Sequence, residues 1–217
     1  MLYNLYYISV IAAFICCVHA YKRLDKNFKW FLPYLGFVIV YEFATMRGWL
    51  TLNHTNSWCN NAEGLMEFLL FIYFMVSLTN KASYKKKVYQ LAAIITLLSI
   101  IDMLFIQGIW KLNTMAIVLQ DLFVLALICI YYGKLLNEAP EHLVLLKHPP
   151  FIAVTGLLFY FLSNTFYYSC FSYMAYKNNY HFYILAETLP GISNLLLNLL
   201  LIYAFICFSK TKKLSSL

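Results

Sequence analysis

Residues 114–135 read TMAIVLQDLFVLALICIYYGKL. Apart from Thr114, Gln120, Asp121 and Lys134 the stretch is apolar or aromatic throughout, and it is long enough to cross the roughly 30 Å of a bilayer's hydrocarbon, for which about 20 residues suffice. Lipid offers no hydrogen bonds to bare backbone, so a spanning segment must be a helix or part of a closed barrel. A barrel strand alternates apolar and polar positions; this run is apolar on every side. It predicts a transmembrane helix with one acid, Asp121, seven residues from its start.

Six further runs read the same way, at 2–20, 30–46, 62–78, 88–107, 150–171 and 180–208, so the fold expected is an all-α bundle of seven transmembrane helices in one domain, 1–217. Composition agrees. The chain is 63% hydrophobic and only 12% charged, with a mean hydropathy of +0.70, against about 25% charged for a soluble domain. That excludes a water-soluble globule and a disordered chain. The six cysteines are too sparse for a disulfide scaffold.

Basic residues set the orientation. Lys22, Arg23, Lys26 and Lys29 follow the first run; Lys81, Lys85, Lys86 and Lys87 follow the third; Lys134 and Lys147 flank the loop after the fifth; Lys210, Lys212 and Lys213 end the chain. The opposite side carries only Arg47, Lys111 and Lys177. This bias predicts the N-terminus outside and the C-terminus in the cytoplasm. It also accounts for the formal charge of +7 without nucleic acid, for which no aromatic-interleaved basic face exists. The first run has no basic residues before it, so it reads as an uncleaved anchor.

Of nine acidic residues, five fall inside the apolar runs: Glu42, Glu67, Asp102, Asp121 and Glu187. Each costs about 2.5–3.5 kcal/mol to insert at mid-bilayer if charged. At 1.5 Å per residue all five come to lie roughly 6–11 Å below the outer boundary. One layer of acids predicts an outward-opening cavity for a cation or a protonated amine. The alternative is that each acid is protonated or bonded to a polar neighbour.

On the last run Glu187, Gly191, Asn194 and Asn198 share one helix face, below a kink expected at Pro190; Ser163, Asn164 and Ser169 on the sixth run can oppose them. Asn194 and Asn198 either extend the cavity or join helices. Glu63 and Glu67, one turn apart, are the candidate metal pair, but no zinc-type spacing accompanies them. Cys59 and Cys170, both expected on the oxidising side, are the candidate disulfide.

No nucleophile elbow, zinc-protease, P-loop or dinucleotide motif occurs, and no cofactor is expected. The reading is a non-enzymatic binding or sensing module that passes its state to a protein partner or a second copy. A proton or cation transporter or oligomeric channel is the first alternative, and an intramembrane hydrolase using Asp102, Asp121 or Glu67 the second.

Glu42, GLMEFLLFIYF at 64–74, PPFIAVTGLLFYF at 149–161 and LPGISNLLLNLL at 189–200 together resemble a group of small bacterial seven-helix membrane proteins with no established activity. The resemblance implies the same topology and a bacterial cytoplasmic membrane.

Overall fold

A computed structural model describes the backbone of residues 2–138, 144–177 and 180–214 and the side chains of 2–138, 144–171 and 188–209. The side chains of Glu187 and Lys177, and the loop residues Glu141 and His142, lie outside this set. Seven helices follow one another: α1 (Leu2–Ala20), α2 (Phe31–Met46), α3 (Ser57–Ser77), α4 (Ala82–Ile101), α5 (Thr114–Glu138), α6 (Pro149–Lys177) and α7 (Tyr180–Leu214). Among the described residues there is no strand, only an isolated bridge between Leu52 and Thr55. That bridge closes a two-residue turn in which Asn53 and His54 both have positive φ, a conformation that suits Asn.

The helices outrun the apolar stretches read from the sequence. α3 starts five residues before position 62, because the Trp58 indole donates to the Leu50 carbonyl at 2.9 Å and Asn60 and Asn61 turn inward to partners of their own. α4 takes in Lys85 to Lys87 as an extra polar turn. Backbone already committed to a helix continues it at little cost.

Five helical segments are long and apolar enough to cross a membrane: Leu2–Arg23, Ala82–Ile106, Thr114–Glu138, Pro149–Phe171 and Thr188–Ser209. The sequence reading counted seven. α2 falls short by length, at 16 residues; α3 is long enough, but Asn60, Asn61, Glu63 and Glu67 dilute its apolar character. These two helices carry most of the polar groups described below.

Packing orders the helices into a ring. α1 lies against α2 and α7, α6 against α7 and α5, and α5 against α3. The ring closes between α2 and α3, whose backbones stand apart and are joined by side chains: Phe31 on Phe74, Tyr34 on Phe71 and Trp30 on Tyr73. α4 stays outside, on α3 and α5. Its buried residues Val88, Ala92, Ile95 and Ser99 repeat every three or four positions, one stripe inward with lipid-type residues elsewhere. Its last turn widens to a π-helix over Asp102–Ile106.

At the end where α1 finishes, the ring is filled by phenylalanine. Phe28, Phe31, Phe74 and Phe205 are essentially fully buried, and Phe28 meets Phe31, Phe74 and Phe208 with ring centroids 4.7–5.7 Å apart. Arg23 ties this end shut by donating to the carbonyl and hydroxyl oxygens of Ser209, both at 2.8 Å. On the same side His148 precedes α6, and burial pushes its imidazole pKa down, keeping it neutral at physiological pH.

The α6–α7 contact depends on Gly156. A Cβ there would stand 2.9 Å from Leu197 Cδ1 and 3.4 Å from Leu197 Cα, so a branched side chain must push the helices apart. Gly156→Val is expected to cost about 1–3 kcal/mol and lower the thermal midpoint. Gly133→Ala, where a Cβ meets nothing within 4 Å, should change stability by no more than about 1 kcal/mol. Melting of the two variants in the same detergent checks the difference.

Candidate functional site: an acid- and tyrosine-lined cavity

Opposite the phenylalanine plug, at the end where α1 begins, the ring encloses a cavity of about 390 Å³. Its position follows from residue size and type: where α2, α3 and α5 pass from large apolar residues to Glu, Asn, Gln and Asp, the interior no longer fills. Glu42, Glu63, Glu67 and Asp121 line it, together with six tyrosines, among them Tyr3, Tyr6, Tyr41 and Tyr160. No Lys, Arg or His is among the lining residues described.

Glu67 forms the floor. Tyr34 from α2 donates to its Oε1 at 2.5 Å and Tyr160 from α6 donates to its Oε2 at 2.5 Å. The two phenols bracket one carboxylate and join α2, α3 and α6 through it. Beneath lies Phe71, one turn on from Glu67 and wholly buried, in ring contact with Tyr34, Tyr160 and Phe161. This apolar base keeps water off the lower side of the carboxylate.

Higher up, Glu42 accepts a hydrogen bond from Tyr3 at 2.6 Å, and Tyr41 donates to Asn60 Oδ1 at 2.5 Å. Asp121 differs from both. It is 5% exposed, lines the cavity, and its Oδ2 is buried without a hydrogen-bond partner. A buried polar atom left unpaired costs about 1–3 kcal/mol, so an unpaired carboxyl oxygen on a residue that lines a cavity calls for a donor.

The structure thus brings Glu42, Glu67, Asp121 and Asn194 from the expected set to one space, with Glu63 and Asn164 beside them. It separates two others. Asp102 lies on α4, outside the ring, and accepts from Gln107 Nε2 at 3.1 Å; equal depth in the bilayer did not imply a shared face. Asn198 is buried against α1 and donates to Ser9 Oγ at 3.0 Å, so it joins helices. The Ser163 and Ser193 hydroxyls pair in the same way between α6 and α7. Glu187 belongs to the part of α7 whose side chains are not described.

The disulfide expectation is corrected: Cys59 and Cys170 are both free thiols. The Cys59 thiol turns back to donate to the Asn56 carbonyl at 2.9 Å, within its own helix start. Among the described residues no three of His, Cys, Asp and Glu approach closely enough to hold a metal ion, and Glu63 with Glu67 remain a pair. Arg47, a cation that might have neutralised the acids, rests instead on the Phe43 ring at 5.2 Å.

Sequence reasoning missed the tyrosines. No motif singled out Tyr3, Tyr34 or Tyr160; only the packing of the helices in the ring turns their hydroxyls onto Glu42 and Glu67. The available signal was the coincidence of buried acids with 19 tyrosines. Compared with protein families, curated proteins and solved structures, the chain finds no match, and the likeness read from the sequence rests on its motifs alone.

The bracket on Glu67 is testable by a double-mutant cycle. Tyr160→Phe should destabilise the protein by about 1–3 kcal/mol, the cost of one unpaired buried group, and Glu67→Gln by a similar amount. The double variant should fall short of their sum by roughly 0.5–3 kcal/mol. Additive losses in equilibrium unfolding would mean that the phenol and the carboxylate do not interact.

Proposed function

We propose that the cavity binds a small organic ammonium ion, and that the chain is a membrane-embedded binding or sensing module that passes its occupancy to a partner. Asp121 carries this reading: a carboxyl that lines a cavity with three more carboxylates and has one buried oxygen, Oδ2, without a donor of its own. An ammonium N–H supplies the missing donor, and a charge-assisted hydrogen bond is about twice as strong as a neutral one. The tyrosine walls favour the same guest, since the faces of aromatic rings attract organic cations by about 0.5–2 kcal/mol each. A bare metal ion is less suited, because no three ligating side chains converge among the described residues.

The phenylalanine plug favours a closed-ended site over an open pore. The plug consists of whole rings from α2, α3 and α7 in edge contact, with no polar side chain among them to carry an ion.

The loop charges favour a cavity on the outer side and a plug on the cytoplasmic side, and the motif resemblance favours a bacterial inner membrane. Seven crossings are consistent with the ring. α2 with its preceding turn runs from the plug to Glu42 and Thr45 at the cavity, and α3 runs back from Asn56 to Phe74. The pair therefore covers the same height as its neighbours, and the lysines after α1 and after α3 fall on one side.

Two outcomes are expected. In nanodiscs of zwitterionic lipid, methylammonium and ethylammonium should raise the thermal midpoint saturably, where sodium at equal ionic strength does not. Asp121→Asn should weaken that effect roughly tenfold or more with the unliganded midpoint unchanged, because Oδ2 gives up no bond. An unshifted midpoint with both ammonium ions would sink the reading. Separately, single cysteines placed beside Lys111 should react with an impermeant maleimide from outside intact cells and those beside Lys85 should not; labelling at Lys85 would reverse the orientation.

A further inference from the structure

Glu67 borders a second space. On the lipid side of the α2–α3 seam lies an apolar groove of about 180 Å³, formed by Trp30 in the turn before α2, by Pro33, Tyr34 and Phe37 on α2 and by Met66, Glu67 and Leu70 on α3. Tyr160 belongs to the cavity and Tyr34 to the groove, so the two phenols that hold Glu67 approach it from opposite spaces. The seam is where the ring is joined by side chains rather than by close backbone packing. Swinging Tyr34 away from Glu67 Oε1 would connect groove and cavity without moving a helix.

From this geometry, and resting on the ammonium reading above, we infer that the ligand is a single-chain alkylamine that enters sideways from the bilayer, placing its ammonium group at Glu67, on the floor of the cavity that Asp121 also lines, and its hydrocarbon chain in the α2–α3 groove. The groove is hydrocarbon and aromatic ring apart from the Trp30 indole N–H, the Tyr34 hydroxyl and the Glu67 carboxylate, and the carboxylate is its one acid, so its occupant is hydrocarbon ending in a cation. Its volume corresponds to about six groups the size of a water molecule in the liquid, near 30 Å³ each. That accommodates a length of one chain. Met66 and Trp30 are both about half exposed, which leaves the groove open to lipid along its length.

The role of Tyr34 follows. An arriving ammonium can replace its O–H as donor to Oε1, so the bond that closes the seam in the empty protein is exchanged for one to the ligand. Tyr160 keeps Oε2 in place meanwhile. The cost of opening is thereby offset at the atom where it arises, and a neutral head group, a weaker donor with no charge to offer, makes the exchange less well.

Photolabelling tests the inference. A dodecylamine carrying a mid-chain diazirine, in nanodiscs with the full chain, should label Met66, Leu70 and Phe37 saturably. The matching dodecanol should not, and excess ethylammonium should suppress the labelling by competing at the carboxylate. Glu67→Gln should reduce labelling roughly tenfold. Should that variant fold poorly, Met66→Trp, on the lipid-facing surface, should block labelling at Leu70 while ethylammonium still raises the thermal midpoint. Labelling spread over lipid-facing positions such as Leu104 and Phe105 on α4, equal for amine and alcohol, with ethylammonium binding intact, would overturn the lateral route and leave the cavity reading standing. Loss of binding by every amine, short or long, would overturn both.

Discussion

The carboxylate of Glu67 has to be satisfied within a bundle that lipid surrounds, and two phenols satisfy it, one on each oxygen. Because those phenols come from α2 and α6, the same two bonds draw three helices to one point where the α2 and α3 backbones are otherwise apart. Leaving either oxygen bare would cost more than a neutral hydrogen bond returns. The spacing of the ring at this level is therefore set by the reach of a tyrosine, not by the close approach that Gly156 permits between α6 and α7.

That level also divides the interior. Below Glu67, Phe71 and the phenylalanines beyond it fill the ring by edge-to-face contact, an arrangement aromatic rings prefer to flat stacking. Above it the inward residues are mostly carboxylates, amides and phenols, which pair in part with one another but do not fill the ring, and the space remains. A single sequence step on α3, from Glu67 to Phe71, spans the change from cavity floor to plug. One turn of helix, about 5.4 Å, is enough to separate a binding environment from a sealed one.

A second polar system lies beside the first and does different work. Asn61 donates to the Lys111 carbonyl and accepts from the Asn113 amide, Asn113 donates to the Ser99 carbonyl, and Gln120 donates to Ser99 Oγ. These bonds fasten α4, which packs outside the ring, to α3 and α5. Gln120 also lines the cavity, one residue before Asp121. Neighbouring positions on α5 thus serve two ends: one is spent on holding a helix, the other is left without a partner. Buried amides joined this way act as the glue between helices that lipid cannot drive together by hydrophobicity alone.

Sequence alone determined the helical class, because runs such as 114–135 leave lipid-exposed backbone no other way to bond itself, and it determined that acids would sit inside them, since the residues are simply there to be counted. Five of the seven runs stand as membrane-length apolar helices. The shorter α2 and the more polar α3 were legible as helices but not as the carriers of the cavity's polar wall. Which acids meet was decided only by tertiary structure. Depth along a helix can be read from position, but facing depends on which neighbours a helix packs against, so Asp102 and Asp121, alike in depth, part company because α4 lies outside the ring and α5 within it. The tyrosines are the clearest case. A phenol is apolar along most of its length and polar at one atom, and nothing in Tyr3, Tyr34 or Tyr160 as letters says whether that atom reaches water, lipid headgroups or a carboxylate; the helix packed opposite supplies the answer.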